Sequence, residues 1–145
     1  MTAHEVVKLL DLVPHPEGGW FREIYRATEK VETQRGLRNA STSIYYLIDQ
    51  HTKSALHRVA TDEIFHHYMG DTVEQLLLHP DGSGERGLIG KDAESGERPV
   101  SIVPAGSWQG ARIFPAGSWA LLGATVAPGF EFADFELATR GELPR

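Results

Sequence analysis

The sequence predicts an all-β domain, a barrel or sandwich of about nine short strands preceded by a single helix. Three observations predict it. Runs rich in β-branched and aromatic residues recur at roughly ten-residue spacing. Glycine and proline, 15 and 8 of the 145 residues, punctuate those runs as turn residues. Beyond the first dozen residues, no apolar stripe at helical spacing is found.

The elements follow in order. Thr2 and Glu5 have the spacing of a capping box, and Val6, Val7, Leu9, Leu10 and Val13 form an apolar stripe, so residues 1–13 read as a helix. Pro14 and Pro16 are expected to stop it. Gly18-Gly19 then opens a strand from Trp20 to Ala27, and Val31 to Asn39 is polar enough to be a surface loop. Strands are predicted at Thr42 to Ile48, Ala55 to Ala60, Glu63 to Met69 and Val73 to His79. After the turn cluster Pro80-Asp81-Gly82-Ser83-Gly84 come Arg86 to Ile89, Val100 to Val103, Ser107 to Phe114, Trp119 to Val126 and Phe130 to Leu137. Pro104-Ala105-Gly106-Ser107-Trp108 recurs as Pro115-Ala116-Gly117-Ser118-Trp119, two similar turns that each deliver a Trp into a strand. The whole chain, 1–145, reads as one domain, with the barrel over 17–140.

Composition narrows the function. A net charge of −6 with no Lys/Arg cluster argues against nucleic-acid binding. No apolar run reaches the ~18–20 residues of a membrane-spanning helix. With no cysteine there is no disulfide, thiolate zinc site or cysteine nucleophile. The start lacks the pattern of a secretory signal, so a cytoplasmic protein is expected.

His57, Glu63, His66 and His67 lie within eleven residues. Imidazoles beside a carboxylate suit a divalent metal or acid–base work near neutral pH. Adjacent His66 and His67 cannot both face inward on a regular strand. If Glu63 points inward, Phe65, His67 and Met69 share its face, unless a β-bulge reverses the later residues. His57 and Glu63 are expected on neighbouring strands joined by a turn at Thr61-Asp62.

These spacings resemble the motifs of the cupins. His57-x-Val59-x3-Glu63-x6-Gly70 matches the first cupin motif with Val59 in place of its second histidine. Pro104-x-Gly106-x2-Gln109 matches the core of the second, with Gln109 in place of its histidine. The chain is similar in particular to the uncharacterised fifth cupin family, whose members resemble sugar-nucleotide epimerases in fold. The blocks that carry this are Pro16 to Glu23, Thr42 to Leu47, Asp62 to His66, Gly70-Asp71 and Ala127 to Phe132. The resemblance implies a cupin double-stranded β-helix, a jelly-roll barrel with a short N-terminal helix, with a small-molecule pocket inside and a homodimer outside. It implies no established reaction.

Two of the four usual cupin metal ligands are replaced, so no cofactor is firmly expected. A divalent metal would have only His57, Glu63 and Gln109, with His67 if it projects to the same point. The leading expectation is therefore a metal-independent epimerase or isomerase of a sugar or nucleotide sugar, with His57 and Glu63 catalytic. Tyr46, Phe65, His66, His67, Trp108 and Gln109 are the expected pocket residues. A metal-dependent oxygenase or isomerase and a non-catalytic metabolite-binding module are the alternatives. Ser/His/Asp hydrolysis lacks a G-x-S-x-G elbow. Of Arg22, Arg26 and Arg58, any on the inner wall could fork onto a ligand anion, but a solvated face is expected for Arg26 and an outward one for Arg58.

Overall fold

The computed structural model describes residues 1–138. Helix α1 (Ala3–Leu9) begins with the expected capping box: Glu5 N–H donates to Thr2 Oγ1 (3.2 Å) and Thr2 N–H donates to Glu5 Oε1 (3.3 Å). It is shorter than the predicted 1–13. Leu10 caps it, Asp11 takes φ 56°, and β1 (Val13–Pro14) pairs with the next strand. Pro14 does not terminate a helix here. It has no N–H to offer a ladder, and an outermost strand tolerates that.

Twelve further strands follow: β2 (Trp20–Arg26), β3 (Lys30–Thr33), β4 (Gly36–Asn39), β5 (Thr42–Asp49), β6 (Lys53–Val59), β7 (Glu63–Gly70), β8 (Val73–Leu78), β9 (Gly84–Ile89), β10 (Val100–Val103), β11 (Trp108–Ile113), β12 (Trp119–Val126) and β13 (Phe135–Leu137). They form a six-stranded sheet in the order β1-β2-β5-β12-β7-β10, a five-stranded sheet in the order β13-β6-β11-β8-β9, and a separate hairpin β3–β4. That is the jelly-roll architecture the cupin resemblance implies. Both Pro-Ala-Gly-Ser-Trp segments are turns that lead into a Trp-headed strand, β11 and β12.

Three local expectations are corrected. The polar stretch 31–39 is not a loop, because Lys30–Thr33 and Gly36–Asn39 close a hairpin on each other. Phe130 to Leu137 is not one strand: a 3₁₀ turn, Phe132–Asp134, precedes β13. His57 and Glu63 lie on consecutive strands but in different sheets, since the chain crosses from one sheet to the other between β6 and β7. The last two residues of the predicted barrel, 139 and 140, lie outside the described residues.

Packing follows the strand alternation. Tyr46, Ile48, Phe65, Val73, Leu77, Ile89, Val103, Ile113, Ala120 and Leu122 fill the space between the sheets. On the outer face of the larger sheet, Val6 and Leu12 of the N-terminal segment pack on Leu47 and Leu121. Three bulges interrupt the alternation, in the pairings β2–β5, β6–β11 and β7–β12. The last lies beside Tyr68, and it places Met69 opposite Leu121 in the outer cluster instead of on the face of Glu63. No helix among the described residues is long and apolar enough to cross a membrane.

Candidate functional site

One end of the barrel encloses a cavity of about 250 Å³. Its walls come from β2, β5, β6, β7 and β12, from the turn before β2, and from the segment 130–135. Phe21, Ile44, Val59, Ala124, Val126, Phe130, Phe132 and Phe135 make it mostly apolar, and His15, Glu17, His57 and Glu63 supply titratable groups.

The turn that carries His15 and Glu17 is tightly built. His15 N–H donates to the Gly19 carbonyl (2.9 Å), and Gly18 N–H returns to the His15 carbonyl (3.0 Å). Gly18 and Gly19 both have positive φ, and a Cβ on Gly18 would collide with the Lys53 carbonyl oxygen. Ala55 N–H donates to the Glu17 carbonyl (2.7 Å), which ties this turn to β6, and Tyr46 Oη donates to the Gly18 carbonyl (2.6 Å). Glu17 is thus delivered, 7% exposed, beside His57.

His57 Nδ1 lies 2.8 Å from the Ala55 carbonyl oxygen and 2.7 Å from Glu17 Oε2. Both neighbours are acceptors, so Nδ1 carries the hydrogen. That hydrogen is aligned on the carbonyl, which leaves Glu17 Oε2 buried with no hydrogen bond of its own. In the neutral ring the other nitrogen, Nε2, then bears the lone pair. Burial pulls the imidazole pKa down, but Glu17, the Ala55 carbonyl and Glu63 outweigh it and hold the value above that of a free histidine.

Glu63 reaches the cavity from the opposite sheet. Its Oε1 accepts a hydrogen bond from Gln109 Nε2 (2.8 Å), a contact buried between the sheets. Burial and the nearby Glu17 carboxylate push its pKa up to about 7, against the smaller opposing pull of His57 and Gln109. A carboxyl group there is partly protonated at neutral pH, so it can donate a proton as well as accept one.

The other expected pocket residues lie elsewhere. Tyr46 and Phe65 belong to the filled core. Gln109 stands behind Glu63 and does not line the cavity. His66 is on the outer face of β7, stacked on Tyr68 with centroids 6.3 Å apart. His67 points inward but beyond the cavity, its Nε2 donating to the Asp71 carbonyl (2.8 Å). Trp108 faces outward beneath the Arg58 guanidinium, 4.5 Å from its ring centroid. Arg22 reaches the Leu10 carbonyl (3.4 Å), away from the cavity.

Arg26, expected on a solvated face, lines the cavity mouth. The bulge between Glu23 and Tyr25 shifts the alternation of β2 by one residue and turns Arg26 inward, opposite Thr42. His15, Glu17 and the phenylalanines of 130–135 also escaped the sequence reading. The one local signal was an ionisable pair held in the Pro/Gly-bounded stretch Pro14-His15-Pro16-Glu17-Gly18-Gly19.

Two of the four cupin-motif positions that usually ligate a divalent metal carry no imidazole, Val59 and Gln109. Among the described residues, no three His, Asp or Glu side chains are grouped to hold one. Val59 presents hydrocarbon to the cavity at the motif's second histidine position, and Gln109 spends its amide N–H on Glu63. A Ser107–His79–Glu85 row has hydrogen-bond distances of 2.7 and 3.0 Å, but Ser107 is 1% exposed and cannot meet a substrate.

Comparison with known proteins gives the family and supports the fold. Residues 4–138 match the family described as Cupin superfamily (DUF985), and the chain belongs to that family. A hypothetical protein from Leishmania major is 33% identical, with a TM-score of 0.92 over 98% of this chain and 90% of that one. The uncharacterized protein YML079W of Saccharomyces cerevisiae is 28% identical over 92% of this chain and 73% of its own. Oxalate decarboxylase from Bacillus subtilis, 16% identical with a TM-score of 0.62 over 86% of this chain and 29% of its own, shares the cupin fold.

Proposed function

We propose that the cavity binds a small carbohydrate-like molecule and epimerises or isomerises it by proton transfer. His57 is the general base, acting through Nε2. Glu63, in its protonated form, is the acid. Glu17 is a positioning residue whose carboxylate, beside Nδ1, favours the ring form with its hydrogen on that nitrogen. The observation that carries this reading is the placement of His57 Nδ1 between two acceptors, which leaves a basic lone pair on a cavity-lining ring. Base and acid come from facing sheets, so a ligand between them is approached from both sides. The aromatic wall suits the C–H face of a sugar ring, with few polar groups to orient it.

The two groups give opposite pH limbs. Activity rises as His57 loses its proton and falls as Glu63 loses its own above about 7, a bell-shaped profile whose limbs belong to the coupled pair. The test is incubation with a panel of aldoses and ketoses in heavy water, read by NMR at the carbon beside the carbonyl. Deuterium should enter with the native chain, and His57→Asn or Glu63→Gln should slow entry by roughly 100-fold or more. Exchange that survives either substitution, or that occurs with no sugar of the panel, would falsify the proposal.

A further inference from the structure

We infer that the cavity selects an uncharged ligand, that its carbonyl oxygen is held by the Nε2–H of His15, and that phosphorylated or carboxylated ligands are turned away. This rests on the cavity being the reaction site and adds the class of substrate.

His15 and His57 are held in opposite tautomers. Glu17 N–H donates to His15 Nδ1 (3.1 Å), so that nitrogen bears the lone pair and the ring hydrogen sits on Nε2. Burial lowers the His15 pKa by more than Glu17 raises it, with a smaller lowering from His57, which favours the neutral ring. Phe21 meets it edge-on with centroids 4.5 Å apart, and Tyr46 and Phe135 stand at 5.7 and 6.1 Å, which fixes the ring plane. Among the described residues, Nε2–H finds no acceptor in the protein. One cavity therefore holds a neutral N–H donor and a lone-pair base. A carbonyl oxygen on His15 is polarised while His57 takes the proton from the adjacent carbon, and a neutral imidazole can perform the first task.

The charge pattern excludes anions. Glu17, Glu23, Glu63 and Glu131 line the cavity, and Arg26 is the one Lys or Arg on its wall among the described residues. A guanidinium has five N–H donors, and Arg26 spends all five. Nε and Nη2 hold the two Glu23 oxygens (3.2 and 2.6 Å), Nη2 also holds the Phe130 carbonyl (3.0 Å), and Nη1 holds Asn39 Oδ1 (2.9 Å) and Glu131 Oε1 (3.0 Å). A ligand phosphate would have to displace a carboxylate from Arg26 and then lie among the remaining ones. The volume of about 250 Å³ falls just below the roughly 300 Å³ at which larger ligand sites begin, which also disfavours an enclosed nucleotide.

The test uses the ¹⁵N-labelled full chain and reads the histidine ring nitrogens by NMR. Dihydroxyacetone and dihydroxyacetone phosphate serve as the uncharged and anionic probes. His15 should appear as the Nε2–H tautomer and His57 as the Nδ1–H tautomer. Dihydroxyacetone should shift the His15 ring signals saturably, and its phosphate should need at least tenfold more to do so. Glu131→Ala, which frees an Arg26 donor at the rim, should narrow that gap at least threefold. A His15 Nδ1–H tautomer, no saturable shift, equal or tighter phosphate binding, or an unchanged gap in Glu131→Ala would each overturn the inference. His57→Asn separates the two readings: it should abolish deuterium exchange and leave the His15 shift in place. A His15 shift without exchange in the native chain would sink the proton-transfer reading alone.

Discussion

β5, β7 and β12 each run the length of the barrel, and each changes character on the way. At one end they present Thr42 and Ile44, Glu63, and Ala124 and Val126 to the cavity. At the other, the same faces carry Tyr46 and Ile48, Phe65, and Ala120 and Leu122, which close on Val73, Leu77, Ile89 and Ile113. The filled end is packed mainly with hydrocarbon, with Gln75 bonded across the sheets to Ser101. The open end has Glu17, His57 and Glu63 among its apolar side chains and leaves a gap, roofed by phenylalanines of the 130–135 segment. The difference shows a division of labour along single strands. Close packing at one end holds the two sheets in fixed register, and that register brings Glu17, His57 and Glu63 together at the other end. Burying ionisable groups is costly, and the packed end offsets that cost.

The contrast is sharpest under core truncation. Ile48→Ala, at a fully buried site of the filled end, should cost about 3–5 kcal/mol in urea unfolding. Ile44→Ala, four residues away on the same face but beside existing space, should cost about 1–2 kcal/mol. Equal losses would mean that the two ends are packed alike.

A smaller effect comes from the buried acid. The Glu63 pKa in the folded chain, about 7, lies above its ordinary 4.5, so the folded state binds the proton more tightly than the unfolded one. Its destabilising contribution is absent below pH 4.5, grows as pH rises towards 7, and is complete above that, roughly 2–4 kcal/mol in all. The raised His57 value acts in the same direction, since its stabilising proton is lost as pH rises through its folded value. Glu63→Gln should flatten most of the fall in stability between pH 5 and pH 7.5, measured by urea titration at each pH. An unaltered pH profile in that variant would show that Glu63 ionises freely.

The smallest change is local. Glu17→Gln keeps the shape of the turn and removes the carboxylate beside His57. The His57 pKa should fall in an NMR titration, with a stability change of about 1–2 kcal/mol. A His57 titration unmoved by this substitution would break the proposed pairing at the open end.

Much of the fold was legible in the sequence, and part of the site. Strand positions came from runs such as Thr42 to Ile48, and the inward pair His57 and Glu63 from motif spacing and alternation. The rest needed information that alternation does not contain. Alternation assigns a face, but not a depth along the barrel, so Tyr46 and Phe65 read as pocket residues and are core. It also fails at bulges, which turned Arg26 inward and Met69 outward. His67 shares the inward face with Glu63 yet sits beyond the cavity for the same reason of depth.

The sequence by itself determined the all-β class, the capped N-terminal helix, most strand limits and the inward placement of His57 and Glu63. These depend on local chemistry: β-branched runs, Gly/Pro turns and period-two burial. Only the tertiary structure decided that β6 and β7 belong to facing sheets, that a turn 40 residues upstream supplies Glu17 to His57, and that the Arg26 donors are already spent. Each of these is a contact between segments far apart in the chain, and such contacts are set by how whole sheets pack, which no local pattern of residues encodes.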